Sequence, residues 1–321
     1  MDINNQEKKI DALIKSHGKR IQPDELMSKR AHKNIQAHWH KSLHQKKIRA
    51  RNRIFQIAAV ITLMITTVFF VQNSYRTDYI ELFANSSYQQ GSVLMTNDEG
   101  HWNALSEDSI TIGLNLKTES NSFVTLNLTD NSQLRLNGNT EIKIVDASSI
   151  ELITGEIYHD ADLSNSKSPL SISTNYGIIQ HLGTRYKVKL LDKELDVAVR
   201  NGLVSINNNQ GSKNIKAGVK LTIDKKGSYN SAKISAYDAS WNWTKLAAKP
   251  FDSDNQNLHD FIIWFAHENG FEVEWNNTKQ QTRNVKLAGN LKNIDSSDLI
   301  KTVFLSTKFD YKINNGILSI R

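Results

Sequence analysis

The residues of this chain with the most chemical capacity are few. Gly183-Thr184 places a hydroxyl directly after a glycine carbonyl. A threonine hydroxyl can attack the preceding carbonyl where strain bends that peptide, giving an ester that water cleaves, so Gly183 and Thr184 form a candidate self-cleavage site. The plainer role is a glycine that allows close strand packing and a threonine chosen for β-propensity. His40 and His44, four residues apart, would share a helical face and could bind a metal, but no acidic ligand accompanies them. They read as solvated polar positions. His159-Asp160 and Asp162 read as solvated loop residues, and His181 as a residue on a strand face. No Gly-rich phosphate loop, nucleophile elbow or His-Glu-x-x-His is present. Zero Cys excludes disulfides, thiolate zinc sites and cysteine nucleophiles. The chain is therefore expected to be no enzyme and to need no cofactor or metal.

Positioning such residues takes several domains, since 321 residues suggest two or three. The formal net charge of +7 is unevenly spread. Residues 1–53 carry fourteen Lys and Arg against five Asp and Glu, a net of +9, and the rest of the chain has a net of −2. The basic segment ends in Lys46, Lys47, Arg49, Arg51 and Arg53, directly before the most apolar stretch. Ile54 to Val71 holds no charge, and its apolar residues occupy every helical face. As a helix of about 1.5 Å rise per residue it reaches roughly 27 Å, enough to cross a thin hydrocarbon core. More than fifty residues precede it, unlike a signal peptide. The crowding of Lys and Arg on its N-terminal side predicts a cytoplasmic N-terminus and an exported remainder. The expectation is a bitopic membrane protein with residues 1–53 cytoplasmic, 54–71 spanning and 72–86 a linker.

Gln22-Pro23-Asp24-Glu25 reads as a helix start, with Pro at the first position and acids near the positive end of the dipole. Leu26, Ile35, Trp39 and Leu43 are read as one face of that helix, and Ile10, Leu13 and Ile14 as the apolar face of a shorter one upstream. Two small amphipathic helices cannot bury these stripes alone, so a protein partner is expected to cover them. Otherwise Trp39 and Leu43 sit at the membrane interface. The basic run is explained as a topology signal and lipid contact rather than as a nucleic-acid surface.

Residues 87–235 show short alternating apolar runs such as Phe123–Leu128, Gln133–Leu136 and Glu141–Val145. Asp130-Asn131, Asn137-Gly138 and Asn201-Gly202 stand among them as turn signals. This predicts an all-β domain, either a sandwich or a stacked β-solenoid. Residues 236–321 predict a small α+β domain. It has a helix bearing Leu258, Phe261, Ile262, Phe265 and Ala266 and stopped by Gly270, and strands at 271–275 and 285–289. A second helix carries Leu299, Val303 and Phe304, and a terminal hairpin turns at Asn314-Asn315-Gly316.

Four stretches of the β-region carry a resemblance: Leu128–Ser132, Leu152–Tyr158, Leu182–Val188 and Val197–Val204, with Ala217-Gly218 closing the series. In this order they resemble the FecR family, whose turns and strands read L-x-D-G-S, L-x-x-G-E-x-x-F, L-G-T-x-F-x-V and V-x-V-x-x-G-x-V. Asn131 stands where the family has Gly, and Tyr158 and Tyr186 where it has Phe. Residues 236–321 resemble the short N-terminal domain of secretins and TonB-dependent transducers. The resemblance implies an anti-sigma factor of the bacterial inner membrane. Such a protein holds an extracytoplasmic-function sigma factor through its cytoplasmic helices and receives a periplasmic signal, for example from a TonB-dependent transducer. Some FecR-like regulators cleave themselves at a Gly-Thr, which is what the resemblance adds to Gly183-Thr184. Family members begin with a longer, Trp-rich segment, so sigma-factor binding here comes from the resemblance and not from matched residues. A membrane-anchored envelope scaffold and a membrane-bound nucleic-acid regulator are the competing readings.

Overall fold

The computed structural model of the chain describes residues 3–16, 24–27, 29–30, 32–35, 39, 58–59, 61–68, 81–96, 100–106, 109–161, 169–181, 183–289, 291, 294 and 296–321. They fall into two compact units, Met1–Tyr79 and Ile80–Arg321.

In the first unit Ile3–Ser16 is a helix, with an exposed Asp11–Lys15 pair one turn apart. Residues 25–27, 29–30, 32–35 and 39 are also helical. Within the apolar run, 58–59 and 61–68 are helical and exposed, while 54–57, 60 and 69–71 lie outside the described residues, as do 72–80 of the expected linker. Among the described residues no helix is long and apolar enough to cross a membrane. The hydroxyls of Thr62, Thr66 and Thr67 donate to the carbonyls of Ala58, Thr62 and Leu63, each one turn back. That leaves these polar side chains satisfied inside the helix.

In the second unit the first strand, Leu82–Gln90, begins before the expected domain start at 87. Two sheets form. One runs in the order Ser109–Thr111, Leu82–Gln90, Phe123–Leu128, Gln133–Leu136, the second half of Ser149–Asp160, Arg185–Leu190, Glu194–Asn201, Val219–Asp224 and Tyr229–Lys233. The other runs Asn103–Ala104, Val93–Thr96, Asn115–Thr118, Glu141–Asp146, the first half of Ser149–Asp160, Ser171–Thr174, Gly177–His181, Leu203–Asn208 and Gly211–Lys216. One buried apolar cluster draws from both, with Leu126, Leu134, Ile157 and Val197 from the first and Leu116, Ile142, Ile172 and Ile206 from the second. Two layers around one core make a sandwich rather than a stacked solenoid.

The shared strand changes sheets at Gly155, where φ is +95°. A Cβ there would lie 2.4 Å from the Thr140 Cα, so only glycine fits the bend. Two of the turn signals also join sheets rather than neighbouring strands. Asn137-Gly138 leads from the first sheet to the second, and Asn201-Gly202 does the same, so both are turns but neither closes a hairpin. A tight turn reverses the chain, but which sheet receives it is decided by packing. Asp130-Asn131 does close a hairpin, with Asn131 at φ +69°.

The C-terminal region holds the helices Leu258–Asn269 and Ser296–Leu305 over a three-stranded sheet. Glu272–Trp275 pairs parallel to Ile317–Ile320, which pairs antiparallel to Tyr311–Asn314. A separate buried cluster including Phe261, Phe265, Val303 and Leu318 fills it. The expected strand at 285–289 is absent from that sheet. Val285 and Leu287 instead bond back to Leu258 and Gln256 around a single bridge between Asn257 and Lys286. The helix Leu258–Asn269 is capped by the Asn257 side chain, which accepts from the Asp260 N–H.

Candidate functional site

Strand periodicity places alternate residues of the first sheet on its outer face. There the register sets Arg135 beside Tyr158, Tyr158 beside Lys187 and Lys187 beside Ala198, with Asp160 beside Arg185 in a second row. The inward neighbours Leu134, Leu136, Val188 and Val199 belong to the sandwich core. The outer row is buried too, because the segment after the last strand folds over it. Trp241, fully buried, donates its indole N–H to the Ser235 carbonyl and meets Tyr158 edge-on, with ring centroids 6.2 Å apart. Arg200 and Lys187 lie 4.7 and 4.9 Å from the Trp241 ring centre.

Three arginines from this face converge on the C-terminal end of the helix Leu258–Asn269. Arg135 donates to both carboxylate oxygens of Glu268, at 2.6 and 2.8 Å, and to the Thr244 carbonyl at 2.8 Å. Arg185 donates to the His267 carbonyl at 3.1 Å, and Arg200 to the carbonyls of Ala236 and Glu268 at 2.8 and 3.4 Å. The last carbonyls of a helix lack intrahelical donors and carry its negative partial charge, so cations are favoured there. His267 completes the arrangement, with Nε2 3.1 Å from Asp160 Oδ2 and Nδ1 3.7 Å from Glu268 Oε1.

The charges are mutually held. Burial pushes the Glu268 carboxyl up, but the Arg135 charge and hydrogen bonds, with those of His267, outweigh it and hold the group far below the usual carboxylate range. Burial lowers the His267 imidazolium, yet hydrogen bonds to Asp160 and Glu268 and their charges raise it to about 9, so it is protonated at neutral pH. Lys187, lowered by burial and supported by Glu156 at 3.1 Å, also donates to the Ser240 carbonyl. The face is a clamp by which the β-sandwich grips the C-terminal helix.

None of the residues of this clamp stands out in the sequence as a site. His159 and Asp160, expected to be solvated loop residues, both lie on the strand Ser149–Asp160 and are buried. Asp160 faces outward to His267, and His159 faces inward against His181 and Tyr186, with ring centroids 4.7 and 5.6 Å away. The available signal was Arg135 within Leu134–Leu136 and Arg200 after Val197–Val199, charges on strands with no exposed apolar face to balance. Asp162 lies outside the described residues. Among the described residues no group of three or more His, Cys, Asp or Glu is placed to hold a metal ion. His40 and His44 also lie outside them.

Gly183 has φ +66°, and Leu182 lies outside the described residues. Thr184 is fully buried, and its hydroxyl donates to the Leu203 carbonyl at 2.8 Å while accepting the Leu203 N–H at 3.2 Å. A hydroxyl held this way ties two corners of the sandwich together. Attack on the Gly183 carbonyl would first require breaking both bonds. At Gly202, φ +82°, a Cβ would lie 2.5 Å from the Gly183 oxygen, so the corners touch through backbone.

Of the expected partner-facing residues, Ile10, Leu13, Ile14, Leu26, Ile35 and Trp39 are all exposed, Trp39 at 64%, and Leu43 lies outside the described residues. On a continuous helix at about 100° per residue, Ile35 and Trp39 would share a face and Leu26 would lie opposite Ile35.

Two crystal structures of a candidate anti-sigma factor from Parabacteroides distasonis ATCC 8503 resemble this chain at 15% identity and a TM-score of 0.37. They cover 64% of it and 98% and 97% of their own chains. No curated protein matches. Residues 115–205, from the strand Asn115–Thr118 to the middle of Leu203–Asn208, match the family described as FecR protein, so the chain carries a FecR domain there.

Proposed function

We propose that this protein is a transmembrane anti-sigma regulator of the bacterial inner membrane. Its N-terminus is cytoplasmic, it crosses once through 54–71, and its β-sandwich and C-terminal region lie in the periplasm. The observation that carries this reading is the FecR domain at 115–205. The charge asymmetry about the apolar run and the exposed apolar residues of the N-terminal helices support it. The N-terminal helices hold an extracytoplasmic-function sigma factor, and the exported region receives the signal, with a TonB-dependent transducer as one source. The protein works by binding and not by catalysis. The clamp suits a receiver, since a force on the C-terminal helix reaches several strands of the sandwich through buried charged hydrogen bonds.

The test is twofold. A reporter active only in the periplasm should work when fused after Arg321 and fail at residue 50. The full chain should co-purify with a sigma factor encoded in the same genome. The reverse reporter pattern would overturn the topology, and absence of any sigma factor would overturn the regulatory role.

A further inference from the structure

An open cleft of about 830 Å³ lies between the hairpin end of the first sheet and the outer face of the helix Leu258–Asn269. Its size falls in the roughly 300–1,000 Å³ range of ligand clefts. Phe251, Ile263 and Trp264 supply its apolar wall. Phe251 packs 5.4 Å from both Phe261 and Trp264, which fixes that wall, while Ile263 remains 46% exposed. A branched aliphatic side chain exposed on a helix whose opposite face is already core has no partner to cover it within this unit.

The charges around the wall are not symmetric. Arg135 and His267 also line the cleft, but both are committed to Glu268 and Asp160. At the rim Asp252 and Asp260 are exposed, against the single exposed cation Lys249. An incoming anion would meet two carboxylates with the deeper cations already engaged. An incoming cation would be attracted by the rim while its apolar neighbour covers Ile263.

From the apolar wall and this excess of rim carboxylates, we infer that the cleft is a binding site for a short peptide segment of a partner protein, one that pairs an aromatic or branched aliphatic anchor with a single basic side chain. The anchor packs on Ile263 and Trp264, and the basic group lies between Asp252 and Asp260. The site needs neither a sigma factor nor the membrane, so it stands or falls separately from the regulatory reading.

The probe is a displayed library of random heptapeptides, selected on the purified full-length chain in mild detergent, with affinities of the enriched peptides measured by fluorescence anisotropy. Enriched sequences should pair Trp, Phe, Leu or Ile with Lys or Arg. Ile263→Asp should weaken them at least tenfold, and the double change Asp252→Asn/Asp260→Asn at least fivefold, with a reduced salt dependence. All three side chains are exposed, and an unchanged thermal transition would show that the variants fold. Failure to enrich any sequence, an acidic consensus, or peptides that bind both variants as tightly as the parent chain would each overturn the proposal.

Discussion

Arg135 and Glu268, 133 residues apart in sequence, form a buried two-pronged ion pair with N–O distances of 2.6 and 2.8 Å, and it joins the β-sandwich to the C-terminal helix. Its parallel donors match the two carboxylate oxygens, a geometry that Lys cannot reproduce. The pair lies beside Tyr158, with both side chains almost wholly buried.

Breaking such a pair leaves one charge buried without its counter-charge, at a cost of about 3–5 kcal/mol. Arg135→Met and Glu268→Met should each destabilise the Ile80–Arg321 unit by about that amount. The double variant should recover at least half of the loss, because apolar residues of similar volume often replace a buried pair at little cost. Chemical denaturation of the four proteins measures this. Simple addition of the two single losses would show that the residues do not act as a pair.

Three histidines, His159 and His181 buried and His267 half-buried, should give stability a two-sided dependence on pH. Burial lowers His159 to about 3, aided by His181, and burial lowers His181 to about 4, both from an ordinary 6.5. For these two the unfolded chain binds protons first. Their contribution is complete above about pH 6.5 and is lost as pH falls towards 4, by up to about 1.4 kcal/mol per pH unit for each. His267 has the opposite sign. Raised to about 9, it stabilises fully below pH 6.5, and that contribution is lost as pH rises from 6.5 to 9. The free energy of unfolding measured from pH 4 to 10 should peak near neutrality. His181→Gln should flatten the acid side and His267→Gln the alkaline side. An acid side unchanged in His181→Gln would refute its buried neutral state.

Gly155→Ala should be among the most damaging single changes in the sandwich, by about 2 kcal/mol or more. It combines a left-handed backbone angle with a Cβ driven to 2.4 Å from the Thr140 Cα. Gly211→Ala is the control, since its φ is also positive but nothing lies within 4 Å. It should cost only the conformational part, roughly 1–2 kcal/mol. Equal losses in thermal unfolding would mean that the sheet-switching bend at Gly155 is not tightly packed.

The legibility of this fold followed the range of the interactions involved. Strands such as Phe123–Leu128, the helix ended by Gly270 and the hairpin at Asn315-Gly316 depend on local pattern and turn chemistry, and the sequence shows them. The turn at Asn201-Gly202 was legible as a turn but not as a sheet crossing, because its destination depends on Leu203–Asn208 pairing with Gly177–His181 and Gly211–Lys216. The clamp was least legible. Arg135 meets Glu268 only after the chain passes Trp241 and lays a helix across the sheet, and no short-range pattern encodes that contact. His159 was misread for the same reason: a His-Asp step resembles a loop until Leu134 and Tyr186 are known to flank it on neighbouring strands.

The last prediction falls on the N-terminal helices, where the regulatory proposal is most exposed. Ile35 and Trp39 lie four residues apart in sequence and both are exposed, so on a helix through both Trp39 would be the larger apolar contact of that face. Truncating an interface aromatic commonly costs about 2 kcal/mol or more, near thirtyfold in affinity. Trp39→Ala should weaken sigma-factor binding by at least that factor, and Ile35→Ala by a smaller one. Leu26→Ala, on the opposite side of a continuous helix, should change it less than either. Membrane insertion, followed by the Arg321 reporter fusion, should be the same in all three. A loss from Leu26→Ala as large as that from Trp39→Ala would mean that the binding surface is not this stripe, and an unchanged affinity in Trp39→Ala would reduce the residue to a membrane-interface anchor.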